Sequence, residues 1–120
     1  MHDSFHLFVY GTLRSGEPAA QLLNGCTRIG TGAVSGVLYD IDGDFPALLP
    51  YGPARIAGEV WRCPAERLAT LDAYEGVQQR LFRRIGVHAR MDDDQEEIAC
   101  WVYVAGPALS RKLVPAARIR

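Results

Sequence analysis

Two parts of the sequence combine residue types that can do chemistry, and the first is a glycine turn. Residues Gly11 to Gly16 (GTLRSG) follow a short apolar run and place a hydroxyl, a leucine and an arginine between two glycines. Glycine lets a ligand approach the main chain, so such a turn can expose several backbone N–H groups in one concavity. The turn predicts a pocket for a small anion. The alternative is an ordinary tight connection, because glycine and serine form turns in many proteins.

The same turn does not predict a nucleotide site. The spacing from Gly11 to Gly16 fits G-x-x-x-x-G, but Glu17 and Pro18 stand where the lysine and hydroxyl residue that hold phosphate and magnesium are needed. A second glycine-rich segment, residues 30–36, misses the dinucleotide fingerprint by one position, and no convincing helix follows it. We therefore expect nucleoside phosphates not to bind.

The second part is a glutamate at the end of a predicted helix. The helix is predicted to begin at Cys63-Pro64-Ala65-Glu66 and to run to about Ala73. Apolar residues on its inward face would carry the glutamate toward the interior, where burial raises a carboxyl pKa toward the range useful for proton transfer. The alternative is a frayed helix end with a solvated glutamate, and spacing alone leaves both open. The residues that share this face are Leu68, Leu71, Asp72 and Glu75.

The composition indicates a soluble globular protein whose partners are small molecules or proteins. The chain of 120 residues is 48% hydrophobic, which is enough for one core without a disulfide or metal. Its formal net charge of -1 gives no electrostatic case for binding nucleic acid or a membrane. Signal-peptide features and bilayer-length apolar runs are missing, and the three unpaired cysteines suit a reducing compartment. We expect one cytoplasmic domain over residues 1–120.

Several short strands with few helices and no regular βαβ alternation predict an α+β fold. The expected sheet is a small closed or strongly curled, mostly antiparallel β-barrel with a few short flanking helices. Residues 40–53, with three prolines and an apolar cluster, are predicted to form a structured loop and one wall of the pocket. The acidic run 91–97 indicates a solvated hairpin tip, since it lacks the ligand pattern of a calcium loop. Strands are predicted at 7–10, 28–39 (as one or two), 55–62, 81–90 and 98–104, a further helix at 17–23, and a surface or disordered tail at 106–120.

Two segments of the chain resemble the signature motifs of a known family. Phe8-Val9-Tyr10-Gly11-Thr12-Leu13-Arg14 and Leu71-Asp72-Ala73-Tyr74-Glu75-Gly76 are similar to the two motifs of the γ-glutamylcyclotransferase-like family, including its γ-glutamylamine-specific members. The resemblance covers about residues 5–104, which leaves 105–120 as a C-terminal tail. Intermediate landmarks agree in order: Gly36 to Asp40, Phe45 to Leu48, Gly58 to Trp61, Phe82 to Ile85 and Trp101 to Val104.

The resemblance implies an enzyme with a small β-barrel that needs no cofactor and no metal. In the implied reaction the α-amine of a small γ-glutamyl substrate attacks its own γ-amide carbonyl, which releases an amine or amino acid and 5-oxoproline. Glu75 is the implied catalytic residue, and the protein is expected to be a monomer or weak homodimer. The alternative is a non-catalytic module that keeps the pocket to bind a small ligand or a protein. The implied substrate-binding residues are Tyr10, Gly11, Thr12, Leu13, Arg14, Pro46 and Tyr103.

The sequence departs from the family pattern in two places. Neither departure changes Glu75, and both bear on which substrate is bound. Phe82 stands where members often have tyrosine, so a hydroxyl contact from that position is lost. The usual glycine- and tryptophan-containing end is replaced by residues 114–120 (VPAARIR). The histidines are interpreted as surface or strand residues. Arg14, Arg83 and Arg84 are candidates for substrate contact or are residues on exposed strand faces, and the second interpretation is the default.

Overall fold

The structure is a computed structural model that describes residues 3–11, 16, 20–41 and 45–110. Within these residues, five strands are accompanied by two 3₁₀ turns and two short helices. None of these helices is long and apolar enough to cross a membrane. The strands are β1 (Ser4–Val9), β2 (Thr27–Ile41), β3 (Phe45–Pro64), β4 (Phe82–Met91) and β5 (Glu97–Ala105); the 3₁₀ turns are Ala20–Leu23 and Ala65–Arg67; the helices are α1 (Leu68–Tyr74) and α2 (Pro107–Ser110).

The five strands close into a barrel in the order β1-β3-β2-β4-β5. Neighbouring strands are antiparallel except at the closure, where β1 lies parallel to β5 and Leu7 is the register partner of Trp101. The predicted fold class, a small and mostly antiparallel barrel with short flanking helices, is confirmed.

Alternation along β1 divides the buried residues into two layers. Phe8 belongs to a cluster with residues from all five strands, so it fills the barrel interior together with Tyr10, which follows the strand. Leu7 and Val9 instead belong to a cluster that includes Leu71 of α1, so they lie on the outer face beneath the helix. Tyr10 therefore packs inside the barrel, whereas α1 packs against the outer face of β1.

Residues 40–53 are not the loop that the sequence predicts. From residue 45 onward this segment is the first part of β3, and it pairs with β2. Pro46 pairs in register with Asp40, whereas Pro50, Gly52 and Pro53 fall in a bulge, because the register moves from Val37↔Leu49 to Gly36↔Ala54 and leaves residues 50–53 without partners on β2. At the bulge Gly52 has φ 118°, and a Cβ there would lie 2.5 Å from a methyl of Val37.

The remaining elements differ from the sequence predictions in extent or in type. The helix predicted to begin at residues 63–66 begins with the 3₁₀ turn Ala65–Arg67, and α1 follows from Leu68. The region 28–39 is one strand that extends to both sides, and the strands predicted at 81–90 and 98–104 are β4 and β5. The turn between β4 and β5 is the predicted hairpin tip. Of the helix predicted at 17–23, residues 20–23 form a 3₁₀ turn, and 17–19 lie outside the described residues. The tail contains α2, and residues 111–120 also lie outside the description.

A close approach of β1 and β3 gives the first testable prediction. A Cβ on Gly58 would lie against the carbonyl oxygen of Val9 and 2.6 Å from the ring of Phe8, so Gly58→Ala should lower the free energy of unfolding by about 1–3 kcal/mol. The matched control is Gly86→Ala on β4, where a Cβ meets no atom within 4 Å. Urea denaturation of both variants checks this, and equal stabilities of the two variants would contradict the packing described.

Candidate active site

Glu75 is held in place by a glycine turn at the end of α1. Glu75 caps the helix with α-helical angles, and Gly76 follows it with φ 67°. The N–H of Gly76 donates to the carbonyl of Ala73 (3.2 Å), and the N–H of Val77 donates to the carbonyl of Asp72 (3.1 Å). These two bonds form the Schellman arrangement, which ends a helix at a residue that tolerates positive φ. The glutamate therefore does not lie on a frayed helix end.

Burial changes the acidity of Glu75. The side chain is only partly exposed, and desolvation raises its pKa from the ordinary 4.5 to about 7. Burial is also the main cause of the raised pKa values of Tyr10 and Tyr103, and the negative charge of Glu75 adds to both. The carboxylate is thus within electrostatic reach of both phenols.

Tyr10 joins three strands at the end of the barrel where β1 finishes. Its hydroxyl donates to the carbonyl of Tyr103 on β5 (2.5 Å) and accepts from the N–H of Leu48 on β3 (3.1 Å). The side chain is 8% exposed, and its single proton is used by Tyr103. In this arrangement the phenol oxygen retains only an acceptor site for a further contact.

Asp72 connects α1 to the barrel through hydrogen bonds to two strands. Arg84 of β4 donates from Nε to Oδ1 (2.9 Å) and from Nη2 to Oδ2 (3.1 Å) of Asp72. The hydroxyl of Tyr103 on β5 donates to Oδ1 (2.6 Å). Burial raises the pKa of Asp72, but the bonds from Arg84 and Tyr103 outweigh it and hold the pKa below its ordinary value. Asp72 is thus an ionised anchor within the helix.

The glycine turn begins beside β3. A Cβ on Gly11 would lie 3.6 Å from Cγ of Pro46, so the start of the turn is in contact distance of the first residues of β3. The predicted substrate-binding residues Thr12, Leu13 and Arg14 lie outside the described residues. The described candidates form a connected chain of neighbours: Gly11 beside Pro46, Tyr10 bonded to Leu48 and Tyr103, and Tyr103 bonded to the helix that ends in Glu75.

Sequence reasoning missed the roles of Asp72 and Arg84. It placed Asp72 on the inward face without a function, and it treated Arg84 like its neighbour Arg83 as an exposed residue. Arg83 is exposed, but Arg84 is partly buried, pairs with Asp72 and stacks 4.5 Å from the ring centre of Trp101. The available signal was period-two alternation, which puts the two arginines on opposite faces of β4.

A further buried carboxylate lies near the end of β1. Glu59 is 8% exposed and is the register partner of Val9. It accepts hydrogen bonds from Nε of Arg28 (3.2 Å) and Nε1 of Trp61 (3.1 Å). In the described part of the chain, no three side chains of His, Cys, Asp or Glu lie close enough together to hold a metal ion.

Comparison with known proteins identifies a matching family and a shared fold. The family model for gamma-glutamyl cyclotransferase, AIG2-like proteins matches residues 7–118. No match was found among curated protein sequences. A crystal structure of an Aig2-like protein from Mus musculus is 23% identical, with a TM-score of 0.79 over 97% of this chain and 83% of that chain.

Two further solved structures share the fold. One, described as a gamma-glutamyl cyclotransferase, is 18% identical with a TM-score of 0.69 and is matched over 86% of this chain and 67% of that chain. The other, an uncharacterized protein from Pyrococcus horikoshii, is 20% identical with a TM-score of 0.72 over 96% and 85% of the two chains. At these identities the likeness shows the fold, and the chemistry must be argued from the site.

The hydroxyl of Tyr10 provides a test of how the site end of the barrel is held. Tyr10→Phe removes a buried donor and leaves the N–H of Leu48 and the carbonyl of Tyr103 without this partner, so it should destabilise the fold by about 1–3 kcal/mol. Urea denaturation measures the change. Tyr51→Phe is the control, because Tyr51 is 68% exposed, and a Tyr10 variant as stable as this control would contradict the arrangement.

The acidity of Glu75 predicts how stability depends on pH. The unfolded chain ionises Glu75 at 4.5, whereas the folded chain keeps the proton to about 7, so the folded state binds more protons between these values. Raising the pH through this window therefore lowers stability. The Glu75→Gln variant cannot ionise at this position, so its stability does not fall as the pH rises. It should be more stable than the parent by roughly 1–3 kcal/mol at about pH 8, with little difference at about pH 4.

Urea unfolding at the two pH values measures this difference. Glu66→Gln is the matched control, because Glu66 is exposed in the turn before α1. A stability gain of Glu75→Gln that is the same at both pH values would show that Glu75 is not desolvated in the folded protein.

Proposed function

Because the chain belongs to the gamma-glutamyl cyclotransferase, AIG2-like family, we propose that it is an enzyme that converts a small γ-glutamyl substrate into 5-oxoproline. The α-amine of the substrate attacks its own γ-carbonyl carbon. A C–N bond forms to close the five-membered ring, and the original γ-amide C–N bond breaks. The leaving nitrogen departs as an amine or amino acid, and the proton that the α-ammonium gives up ends on that nitrogen.

The observation that carries the proposal is Glu75 at a fixed helix end with a pKa of about 7. The α-amine is an ammonium near neutral pH and cannot attack until a base removes a proton. A carboxyl group with a pKa near the operating pH is suited both to take that proton and to return it to the leaving group. An exposed glutamate with an ordinary pKa would be a poor proton donor to the departing nitrogen.

We assign the binding and orientation of the substrate to the candidate residues other than Glu75. The backbone N–H groups of residues 11–13 would hold the α-carboxylate, and a donor aimed at the developing oxyanion is worth about 3 kcal/mol. Holding the flexible glutamyl chain in a ring-closing pose can contribute roughly 7–11 kcal/mol in favourable intramolecular reactions. Arg14, Pro46 and Tyr103 are proposed to complete the substrate contacts, with Tyr10 supporting Tyr103 from inside the barrel.

The test is direct detection of product from a panel of γ-glutamyl amines and γ-glutamyl amino acids. We expect 5-oxoproline from at least one of them, and Glu75→Gln should reduce the rate by about 10²–10⁴-fold because proton transfer is lost. Glu66→Gln, which changes an exposed carboxylate one turn before α1, should keep the parent rate.

The panel also separates catalysis from binding. A γ-glutamyl compound that raises the unfolding temperature but is recovered unchanged would favour the non-catalytic binding module instead. Product formed at the parent rate by Glu75→Gln would contradict the role of this residue while leaving the family's reaction intact.

A further inference from the structure

Asp72, which forms an ion pair with Arg84 of β4, lies three residues before Glu75 on the same helix face. Both oxygens of Asp72 are bonded to the guanidinium, and Oδ1 also accepts from the hydroxyl of Tyr103. About a quarter of each side chain is exposed, 23% for Arg84 and 26% for Asp72. A bidentate arginine–carboxylate pair that is mostly shielded from solvent restricts the relative movement of the two residues that it joins.

Asp72 also takes part in the turn that fixes Glu75. Its backbone carbonyl accepts from the N–H of Val77, which is one of the two bonds that close the turn around Gly76. The same residue is therefore tied by its side chain to β4 and β5 and by its main chain to the turn that carries the glutamate. Movement of Asp72 would move Glu75 relative to the barrel.

The ionisable groups around Glu75 lie at the end of β1, on β4 and β5, and on its own helix. Tyr10 after β1 and Tyr103 on β5 are neutral, because burial raises the pKa of both phenols. Arg84 on β4 is positive and Asp72 on α1 is negative, and their bonds hold each in its charged form. The other ionisable side chains nearby in sequence, Tyr74, Arg80 and Arg83, are exposed to solvent.

The charge balance fits the acidity of Glu75. Its pKa is raised by burial, with no contribution from a neighbouring charge. A lone Asp72 would raise that pKa further, and a lone Arg84 would lower it. Pairing the two keeps the connection between helix and barrel without placing a net charge beside the glutamate.

We propose that Asp72 and Arg84 are positioning residues that clamp the end of α1 to the barrel and keep the surroundings of Glu75 electrically neutral. Neither residue needs to touch the substrate. Arg84 is held for this task from its other side by Trp101, whose ring centre lies 4.5 Å from the guanidinium carbon. This inference rests on the proposed proton-transfer role of Glu75.

Two single substitutions with opposite charge effects test the clamp. Asp72→Asn keeps the shape of the side chain but removes the negative partner of Arg84, so the pH midpoint of kcat/KM should fall by roughly 0.5–1 unit relative to the parent. Arg84→Gln leaves Asp72 unpaired, so the midpoint should rise by a similar amount. The double variant should return it close to the parent value. A purely structural role would not move the two midpoints in opposite directions.

A third variant separates position from charge. Arg84→Lys keeps the positive charge but cannot make both hydrogen bonds, so the midpoint should stay while kcat falls about 10-fold or more with little change in KM. The matched control is the exposed pair Arg90 and Glu97, an ion pair of 3.1 Å that joins β4 to β5 rather than to α1. Arg90→Gln and Glu97→Gln should change neither kcat nor the midpoint.

Carboxyl-carbon NMR titration of Glu75 in the same variants gives a readout that does not need turnover. Opposite shifts of its pKa in Asp72→Asn and Arg84→Gln, in a protein that forms no 5-oxoproline, would support the clamp and refute the proposed function. Shifts in one direction for both variants, or no shift in variants that remain folded, would overturn the clamp whatever the activity. If either neutral variant fails to fold, Arg84→Lys still tests the position of the helix end: a fall in kcat with an unchanged midpoint supports the clamp, and an unchanged kcat overturns it.

Discussion

The contact between the first and last strands holds the candidate site together. Leu7 pairs in parallel with Trp101, and beyond that pair the hydroxyl of Tyr10 bonds the carbonyl of Tyr103. A parallel pair cannot be joined by a tight hairpin, so the chain between β1 and β5 must wrap around before this contact forms. The wrap brings the turn at Gly11 to the strand that anchors α1 through Asp72.

The partly buried carboxylate at the end of α1 has an unfavourable effect on stability that other contacts must offset. Ionising Glu75 in the folded protein is opposed by desolvation, which is the property that makes its pKa useful. Opposing contributions come from Leu71, which is fully buried against the outer face of the barrel, and from the ion pair at Asp72. The raised pKa of Glu75 therefore depends on the contacts that hold the helix end against the barrel. If the helix end frayed, Glu75 would be solvated and its pKa would return to the ordinary value.

Short sequence patterns were sufficient to predict the structural features that depend only on residues close in sequence. Helical spacing correctly placed Leu71 on the inward face of α1, and Gly76 marked the end of the helix, because helix periodicity and a positive φ both depend on residues within a few positions. The strand pattern likewise predicted a small barrel. Residues 40–53 were misjudged because proline and glycine normally interrupt strands, and a bulge that absorbs them cannot be recognised without knowing the register of β2.

Contacts between distant parts of the chain could not be read from the sequence. Tyr10 finds its hydrogen-bond partners 38 and 93 residues away, and both depend on how the barrel closes. The pairing of Arg84 with Asp72 depends on which face of β4 lies under α1, whereas alternation alone shows only that Arg83 and Arg84 point in opposite directions. The resemblance of the motif that contains Glu75 is thus the source of the proposed chemistry, while the residues that hold Glu75 in position required the structure.

If the turn at Gly11 and the carboxylate of Glu75 belong to one site, a γ-glutamyl compound bound to Glu75→Gln will contact both in a crystal structure. We expect the α-amino nitrogen within about 2.6–3.2 Å of the side-chain oxygen of residue 75, with the α-carboxylate on the backbone N–H groups of residues 11–13. A ligand bound elsewhere on the barrel, or one that contacts the turn while residue 75 faces away from it, would contradict the account.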